Sequence, residues 1–377
     1  GKKGKKVKLP KDPTSDKPME VLYRQLVFEN IVQKVDKVKI ADYIGSYQYL
    51  GAALDKLSQV ETTNLPDPSI AQIRQAVTEF AILPLGSQAV KDHAPLNMST
   101  VGSKDGTPKV KACTPIMIVG SPGTGKKMLV NAVANETGAN LFNLTPSNTD
   151  GKYPGKKAYE LVHTVMKVAK ALAPSVVWIG DVDTVFKSGK VKGATGEPPN
   201  RINKHLTAVL NPKKGQGLID AEDRVVLIGT TSQPYNVEKA KDATAFKDFF
   251  SKILYTPLPN YPSRMMMWTG MVEKGGVMRP NPDEIQTLSR VSKNYSSGAI
   301  TQVVARTLTT RRIERLARKP FNVQELIGPL AKESPVPQED DAALRTWYQS
   351  TVPACQKEES AAPADAKKDA KGGKKKK

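Results

Sequence analysis

Between residues 116 and 256, short apolar runs alternate with longer stretches in which apolar side chains recur every three or four positions. The runs are Ile116–Val119 (IMIV), Asn140–Leu144 (NLFNL), Ser175–Ile179 (SVVWI), Arg224–Gly229 (RVVLIG) and Lys252–Thr256 (KILYT). Each predicts a buried strand. The periodic stretches predict helices. One follows Gly125 through Met128, Leu129 and Val133. A second covers Ala158–Leu172 and is stopped by Pro174, and a third covers Arg201–Leu210. Strands alternating with helices predict an α/β fold, a parallel sheet flanked by helices on both faces.

The flanks read differently. Residues 1–18 predict a disordered basic tail, and residues 19–39 an N-terminal helix with Val21, Leu22, Leu26, Val27, Ile31, Val32 and Val35 at helical spacing. The large α/β subdomain is expected over residues 40–262. It opens with a mixed segment carrying Tyr43, Tyr47 and Tyr49, then a helix over Ile70–Leu83 ended by Pro84. Past Pro262 the pattern is helical: Arg264–Lys274, Asp283–Val291, Ser297–Leu316 and Val323–Ala331. These define a small helical subdomain over residues 263–335. Residues 336–356 predict a docking helix opened by Glu339-Asp340-Asp341 and carrying Leu344, Trp347 and Tyr348. Residues 357–377, rich in Ala, Pro and Lys, predict a second disordered tail.

Charge sharpens this picture. The net charge is +20, of which residues 1–11 and 366–377 contribute +6 each, leaving +8 between them. Tails this dense in lysine are as well suited to a polyanion partner as to keeping the chain soluble. No apolar run is long enough to span a bilayer and no signal-peptide pattern opens the chain, so no membrane partner is expected. The chain opens on Gly, which suggests part of a longer protein. Cys113 and Cys355 lack metal-type spacing, and His93, His163 and His205 are scattered, so a reducing compartment and no metal site are expected. A nucleic-acid partner would rest on charge alone, without a recognisable binding module, and is not expected.

The segment Gly120-Ser121-Pro122-Gly123-Thr124-Gly125-Lys126 lies between a predicted strand and a predicted helix. This is G-x-x-x-x-G-K in the setting that makes it a phosphate-binding loop. Its glycines let backbone N–H groups turn inward around a phosphate, the helix start adds a positive dipole end, and Lys126 supplies a point charge. The next position normally carries a Ser or Thr hydroxyl that ligates Mg²⁺. Here it is Lys127. An ammonium cannot ligate a cation, so the loop can hold phosphate while Mg²⁺ is doubtful.

The order of motifs resembles the AAA family of ATPases, with the flavour of katanin and spastin, over roughly residues 40 to 350. The resemblance is carried by Ile82-Leu83-Pro84-Leu85, the phosphate loop, Lys152-Tyr153-Pro154-Gly155 at the pore-loop position, Ser175–Ile179 in the second acidic motif, Thr230-Thr231-Ser232-Gln233-Pro234 at the sensor, and Tyr295-Ser296-Ser297-Gly298-Ala299 at the lid turn. It implies bound ATP or ADP, held by Gly120, Ser121, Pro122, Gly123, Thr124, Gly125, Lys126, Lys127 and Met128, with Gly298 and Ala299 walling the base. It also implies catalytic positions that this chain has lost. The family's Asp-Glu pair falls on Gly180 and Asp181. Asp183 is a nearby acid that need not face the phosphates. The polar sensor is Ser232, and Asp248-Phe249-Phe250 stands where arginine fingers would be. Losing metal ligand, base and finger together points to a pseudo-ATPase that turns nucleotide over negligibly.

A narrower resemblance rests on SYQYLGAALDKLS, AILPLGS, GKKMLVNAV, ETGANLFNLTPSN, GKYPGKK, PSVVWI and LIGTTSQP. These are similar to the IQ-motif and AAA-domain-containing branch of the family, which belongs to the dynein regulatory complex (nexin link) of ciliary and flagellar axonemes. The resemblance implies a cytoplasmic, axonemal structural module. Its partners would be other subunits of that complex and the tubulin of the microtubule doublet, reached through the basic tails. Calmodulin would bind only through an upstream IQ motif absent from these residues. Without fingers no hexamer is expected. The other reading is an active ATPase that remodels microtubules or a polypeptide. Tyr153 is expected as a surface aromatic at an interface. Met265-Met266-Met267-Trp268 is expected in a core helix packed on the sheet.

Overall fold

The computed structural model describes residues 12–47, 67–93, 98–99, 109–110, 115–189, 196–210, 218–219, 223–237, 239–250, 252–278 and 280–351. Six strands form its main sheet: β1 (Val32–Gln33), β2 (Ile116–Gly120), β3 (Asn140–Asn143), β4 (Ser175–Ile179), β5 (Val225–Thr231) and β6 (Lys252–Thr256). Their order is β1-β3-β4-β5-β2-β6. All neighbours are parallel except β1, which pairs antiparallel with the edge of β3. Every residue of β2, β4 and β5 is buried, as expected for strands covered on both faces. Alternation sorts their side chains. Met117, Val119, Val177 and Ile179 enter one core, while Ile116, Ile118, Val176 and Trp178 enter the other.

The longer helices are α1 (Met19–Phe28), α2 (Ile70–Val77), α3 (Lys126–Thr137), α4 (Ala158–Ala171), α5 (Val182–Phe186), α6 (Asn203–Leu210), α7 (Ala240–Phe249), α8 (Tyr261–Lys274), α9 (Pro282–Val291), α10 (Ser297–Thr307) and α11 (Gln338–Gln349). The first core contains side chains of α1, α4, α5, α6, α7 and α11. The second contains α2 and α3 together with α8, α9 and α10, so the helical subdomain is continuous with one face of the sheet. Trp268 is fully buried in α8 and donates to the Ser292 hydroxyl at 3.0 Å. Met267 is buried beside it while Met266 is half exposed. Most contacts of α8 are to α9 and α10 rather than to the sheet, which refines the expectation for Met265–Trp268. The buried Arg264 ties α8 to its surroundings, donating to Ser289 O at 2.8 Å and Pro259 O at 2.7 Å.

Four expectations change. The helix expected over 19–39 ends at Phe28. Asn30 takes φ +54°, Ile31 N–H returns to Leu26 O at 2.9 Å, and the β-branched Val32 joins the sheet edge instead. The basic tail stops short of residue 18. Thr14 is fully buried, and Asp12 accepts from Lys167 at 2.9 Å, so residues 12–18 strap α1 to α4. The lysines of residues 1–11 and 367–377 lie outside the described residues. Pro84 does not end its helix. A wide π turn over Thr78–Ile82 absorbs the missing N–H and the helical path continues to Gly86. The helix expected over Ser297–Leu316 breaks at Leu308, whose side chain packs so closely on Gly275 that a Cβ there would lie 2.5 Å from it.

The docking helix is α11, and its seat is aromatic. Tyr348 stacks on Tyr255 at 5.1 Å, and Trp347 meets Phe246 at 6.3 Å. Leu26 is the central buried side chain of α1 and is completely enclosed. Leu26→Ala should lower unfolding stability by about 3 kcal/mol, the range for a leucine truncated to leave a cavity. Urea denaturation measures this. A loss below about 1 kcal/mol would mean that α1 is only loosely attached.

Candidate functional site

β2 delivers the chain to the glycine loop between the other strand ends. Gly120 is buried against β6, where a Cβ would fall 2.0 Å from the Thr256 hydroxyl oxygen. That hydroxyl donates to Val119 O at 3.0 Å and lies 3.0 Å from the Thr124 hydroxyl, which donates to Ser121 O at 2.9 Å. Two threonines thus fasten the loop to the sheet from below. Gly123 and Gly125 adopt φ +79° and +88°, a backbone region that side chains disfavour. Both are also crowded from outside. A Cβ on Gly125 would lie 2.8 Å from the Tyr43 ring, and one on Gly123 would lie 2.4 Å from the Ser296 hydroxyl.

Those neighbours close the loop from two more sides. The Tyr43 hydroxyl donates to Thr124 O at 3.1 Å, and burial pushes its phenol well above the usual range. Gly298 N–H donates to Gly123 O at 2.8 Å, while Ala299 N–H is capped by Ser296 Oγ at 3.2 Å. The lid residues Gly298 and Ala299 are therefore brought onto the loop, with Gly298 in contact. Pro122 is exposed, Met128 half buried at the start of α3, and Ser121 buried with its hydroxyl unpartnered among the described residues.

Lys126 curls back to donate to Gly120 O at 2.7 Å and Ser121 O at 2.9 Å. Burial holds its ammonium down to about 8, opposed by the Asp181 carboxylate. Lys127 is exposed, with its Nζ 5.7 Å from the centroid of the Trp178 ring, a cation–π contact. The indole is fixed from the other side, donating to Thr230 Oγ1 at 3.0 Å.

The acidic motif has been rebuilt rather than simply thinned. Gly180 N–H donates to Thr145 Oγ1 at 2.9 Å, and a Cβ at Gly180 would lie 2.9 Å from that oxygen and 3.0 Å from the Thr145 methyl. No side chain fits there unless Thr145 moves. Asp181 sits in a left-handed turn, φ +46°, with its residue exposed at the head of α5. Asp183 is buried and accepts from Thr231 Oγ1 at 2.6 Å; burial raises its carboxyl, and the bond opposes that. It serves as a brace between α5 and β5. Ser232 follows β5, half buried. Phe249 and Phe250 are buried in a cluster with Phe186 and Phe246, and only Asp248 of that trio is exposed. The residues present fit phosphate: inward-capable glycine backbone, two lysines and the unpartnered Ser121 hydroxyl. They do not fit a divalent cation, which would find Lys127 and no carboxylate at position 180. Among the described residues no three His, Cys, Asp or Glu side chains gather.

Tyr153 corrects its expectation. It is buried at 8% exposure, with φ +50°, and its hydroxyl accepts from Gln25 Nε2 of α1 at 2.7 Å. Arg201 holds the loop shut by donating to Tyr153 O at 3.1 Å, Lys152 O at 2.7 Å and Thr149 O at 2.6 Å. An aromatic pinned under α1 neither grips a threaded chain nor offers a surface contact. Sequence reasoning also passed over Tyr43, Thr145, Thr256 and Arg201. Their types carry no motif, and only three-dimensional proximity to a glycine or a carbonyl reveals them.

A parallel sheet in this order, a glycine loop between β2 and α3, and a helical lid seated on that loop define an AAA-type fold. Residues 116–254 match the model of the ATPase family associated with various cellular activities (AAA), and this region is an AAA domain. The chain is 35% identical over 339 residues, 88% of its length, to dynein regulatory complex protein 11 of Mus musculus. It is 30% identical over 187 residues, 49% of its length, to spastin of Xenopus tropicalis. It spans about 36% of the first relative and 29% of the second. The crystal structure of the FIGL-1 AAA domain in complex with ADP superposes at TM-score 0.58 and 19% identity, covering 90% of this chain and 99% of that one. The resemblance to the axonemal branch of the family and the fold class expected from the motifs are both borne out. No helix among the described residues is long and apolar enough to cross a membrane.

The crowding at Gly180 gives a test. Gly180→Asp alone should destabilise the fold by about 1–3 kcal/mol, the cost of overpacking a tight site. Adding Thr145→Ala should recover part of that loss, because it removes both crowding atoms. Thermal melts of the two variants decide it. An undiminished Gly180→Asp protein would show that the space is not filled as described.

Proposed function

We propose that this chain is a structural subunit of the axonemal dynein regulatory complex, the nexin link of cilia and flagella. Its AAA domain holds ATP or ADP as a fixed part of the fold and turns it over negligibly. The observation that carries this reading is the pairing of Gly180 with Thr145: the space for a metal-positioning carboxylate is filled by a threonine that bonds the backbone. Lys127, steadied over Trp178, supplies a fixed counter-charge where a divalent cation would otherwise be needed.

The similarity to dynein regulatory complex protein 11 over 88% of the chain supports the place in the axoneme and other subunits of the complex as partners. The lysine-rich tails would reach tubulin, and calmodulin would act only through an upstream segment. A monomer is favoured over a ring, since Phe249 and Phe250 are spent on the core and Asp248 repels a neighbour's phosphate. The buried Tyr153 supports docking over threading.

Binding of a fluorescent adenine nucleotide should survive EDTA and be lost in Lys126→Ala, and phosphate release should remain at background over hours. Metal-dependent turnover would overturn the reading. Phosphate favours the charged lysine, so bound Lys126 titrates above the free value of about 8. Affinity should therefore be full below about pH 8 and fall as pH rises through it.

The second test is cellular. A full-length protein carrying Lys126→Ala should still assemble into axonemes if turnover plays no part, and at reduced level if bound nucleotide stabilises the fold. Normal assembly with abolished beating would indicate a motor and refute the static role.

A further inference from the structure

The lid carries a cationic ridge that the nucleotide site does not use. After α10 the chain makes a compact double turn over residues 310–319, with sequence TRRIERLARK: five cations and one acid, Glu314. Thr309 O accepts from Arg312 N–H at 2.8 Å and Ile313 N–H at 2.9 Å, and Arg315 O accepts from Arg318 N–H at 3.0 Å and Lys319 N–H at 2.9 Å. One arginine is turned inward to hold this shape. Arg312 donates to both Glu325 oxygens at 2.8 and 2.9 Å, and to Lys319 O and Pro320 O at 3.1 Å each. The other four cations, Arg311, Arg315, Arg318 and Lys319, are exposed and make no ion pair among the described residues. Arg306, just before the ridge, is already matched by Glu333.

Four unmatched cations on a braced turn repel one another and favour an anion. We infer that residues 311–319 of the lid form a docking surface for an acidic, extended polypeptide segment. Three of the four cations are arginines, whose planar forks pair with carboxylates and phosphates alike. Two features favour a peptide over a nucleic acid. Ile313 is 37% exposed among them and offers apolar contact that peptide side chains use and a phosphate backbone does not. The ten residues contain no aromatic ring on which a base could stack. None of the hydrogen bonds that shape this turn involves the glycine loop.

The test uses the full chain and a short fluorescent glutamate-rich peptide, read by anisotropy across a salt series. The combined variant Arg311→Gln, Arg315→Gln, Arg318→Gln, Lys319→Gln keeps both lysine tails, so their background is common to both proteins. The variant should bind roughly tenfold more weakly and with a shallower salt dependence, as fewer counterions are released. Its melting temperature should be unchanged, whereas Arg312→Gln should lower it. Equal binding by the combined variant overturns the proposal. So does a single-stranded oligonucleotide of equal length that binds the natural chain more tightly than the peptide and loses more on substitution. Should the variant misfold, carbodiimide coupling of the peptide to the natural chain decides. A cross-link at Lys319 supports the ridge, and cross-links confined to lysines of residues 1–11 and 367–377 overturn it.

Discussion

The hydrogen bond from Gly298 N–H to Gly123 O joins the lid to the glycine loop through backbone alone. It requires glycine on both sides: a Cβ on Gly298 would fall 3.0 Å from Gly123 O, and one on Gly123 would strike Ser296. With Tyr43 on Thr124 O and Thr256 beneath, the loop is held by the N-terminal segment, the sheet and the lid together. A loop fixed from three directions is preorganised, so little ordering entropy remains to be lost when an anion enters. The same fixation couples whatever occupies the loop to the packing of the lid.

The contacts around the glycine loop share a common physical logic. An unpaired carboxylate beside a loop built for phosphate would repel the nucleotide unless a cation screened it. Here the carboxylate is gone, its space is taken by Thr145, and a lysine stands over an indole nearby. A glycine at position 180 lets its N–H reach Thr145, and Asp183 braces α5 to β5 through Thr231. The aromatic cluster of Phe186, Phe246, Phe249 and Phe250 forms part of the seat of α11, through Phe246 against Trp347.

The N-terminal helix α1 adds a second constraint. Leu22 and Leu26 enter the same core as Tyr153, and Gln25 bonds the tyrosine hydroxyl. The loop that would project in a threading ring is part of the interior, and releasing it would expose α1's buried side chains along with its own. That cost favours one fixed arrangement.

The sequence by itself determined the five parallel strands, to the residue for Ser175–Ile179, because a strand buried on both faces must be uniformly apolar and is bounded by polar turns; the edge strand Lys252–Thr256, only partly buried, is marked by its Ile-Leu-Tyr run. It also determined the glycine loop, since its backbone geometry admits few residue types. Tertiary structure alone decided where Met19–Phe28 stops, because the edge of β3 offers Ile31 and Val32 better hydrogen bonding than another helical turn. It decided the fate of Tyr153, whose burial depends on Arg201, 48 positions later, binding its carbonyl. It decided that position 180 has no room, a fact set by Thr145 from another strand end. Composition and periodicity act locally along the chain, whereas free space and unpaired carbonyls arise only where distant segments meet.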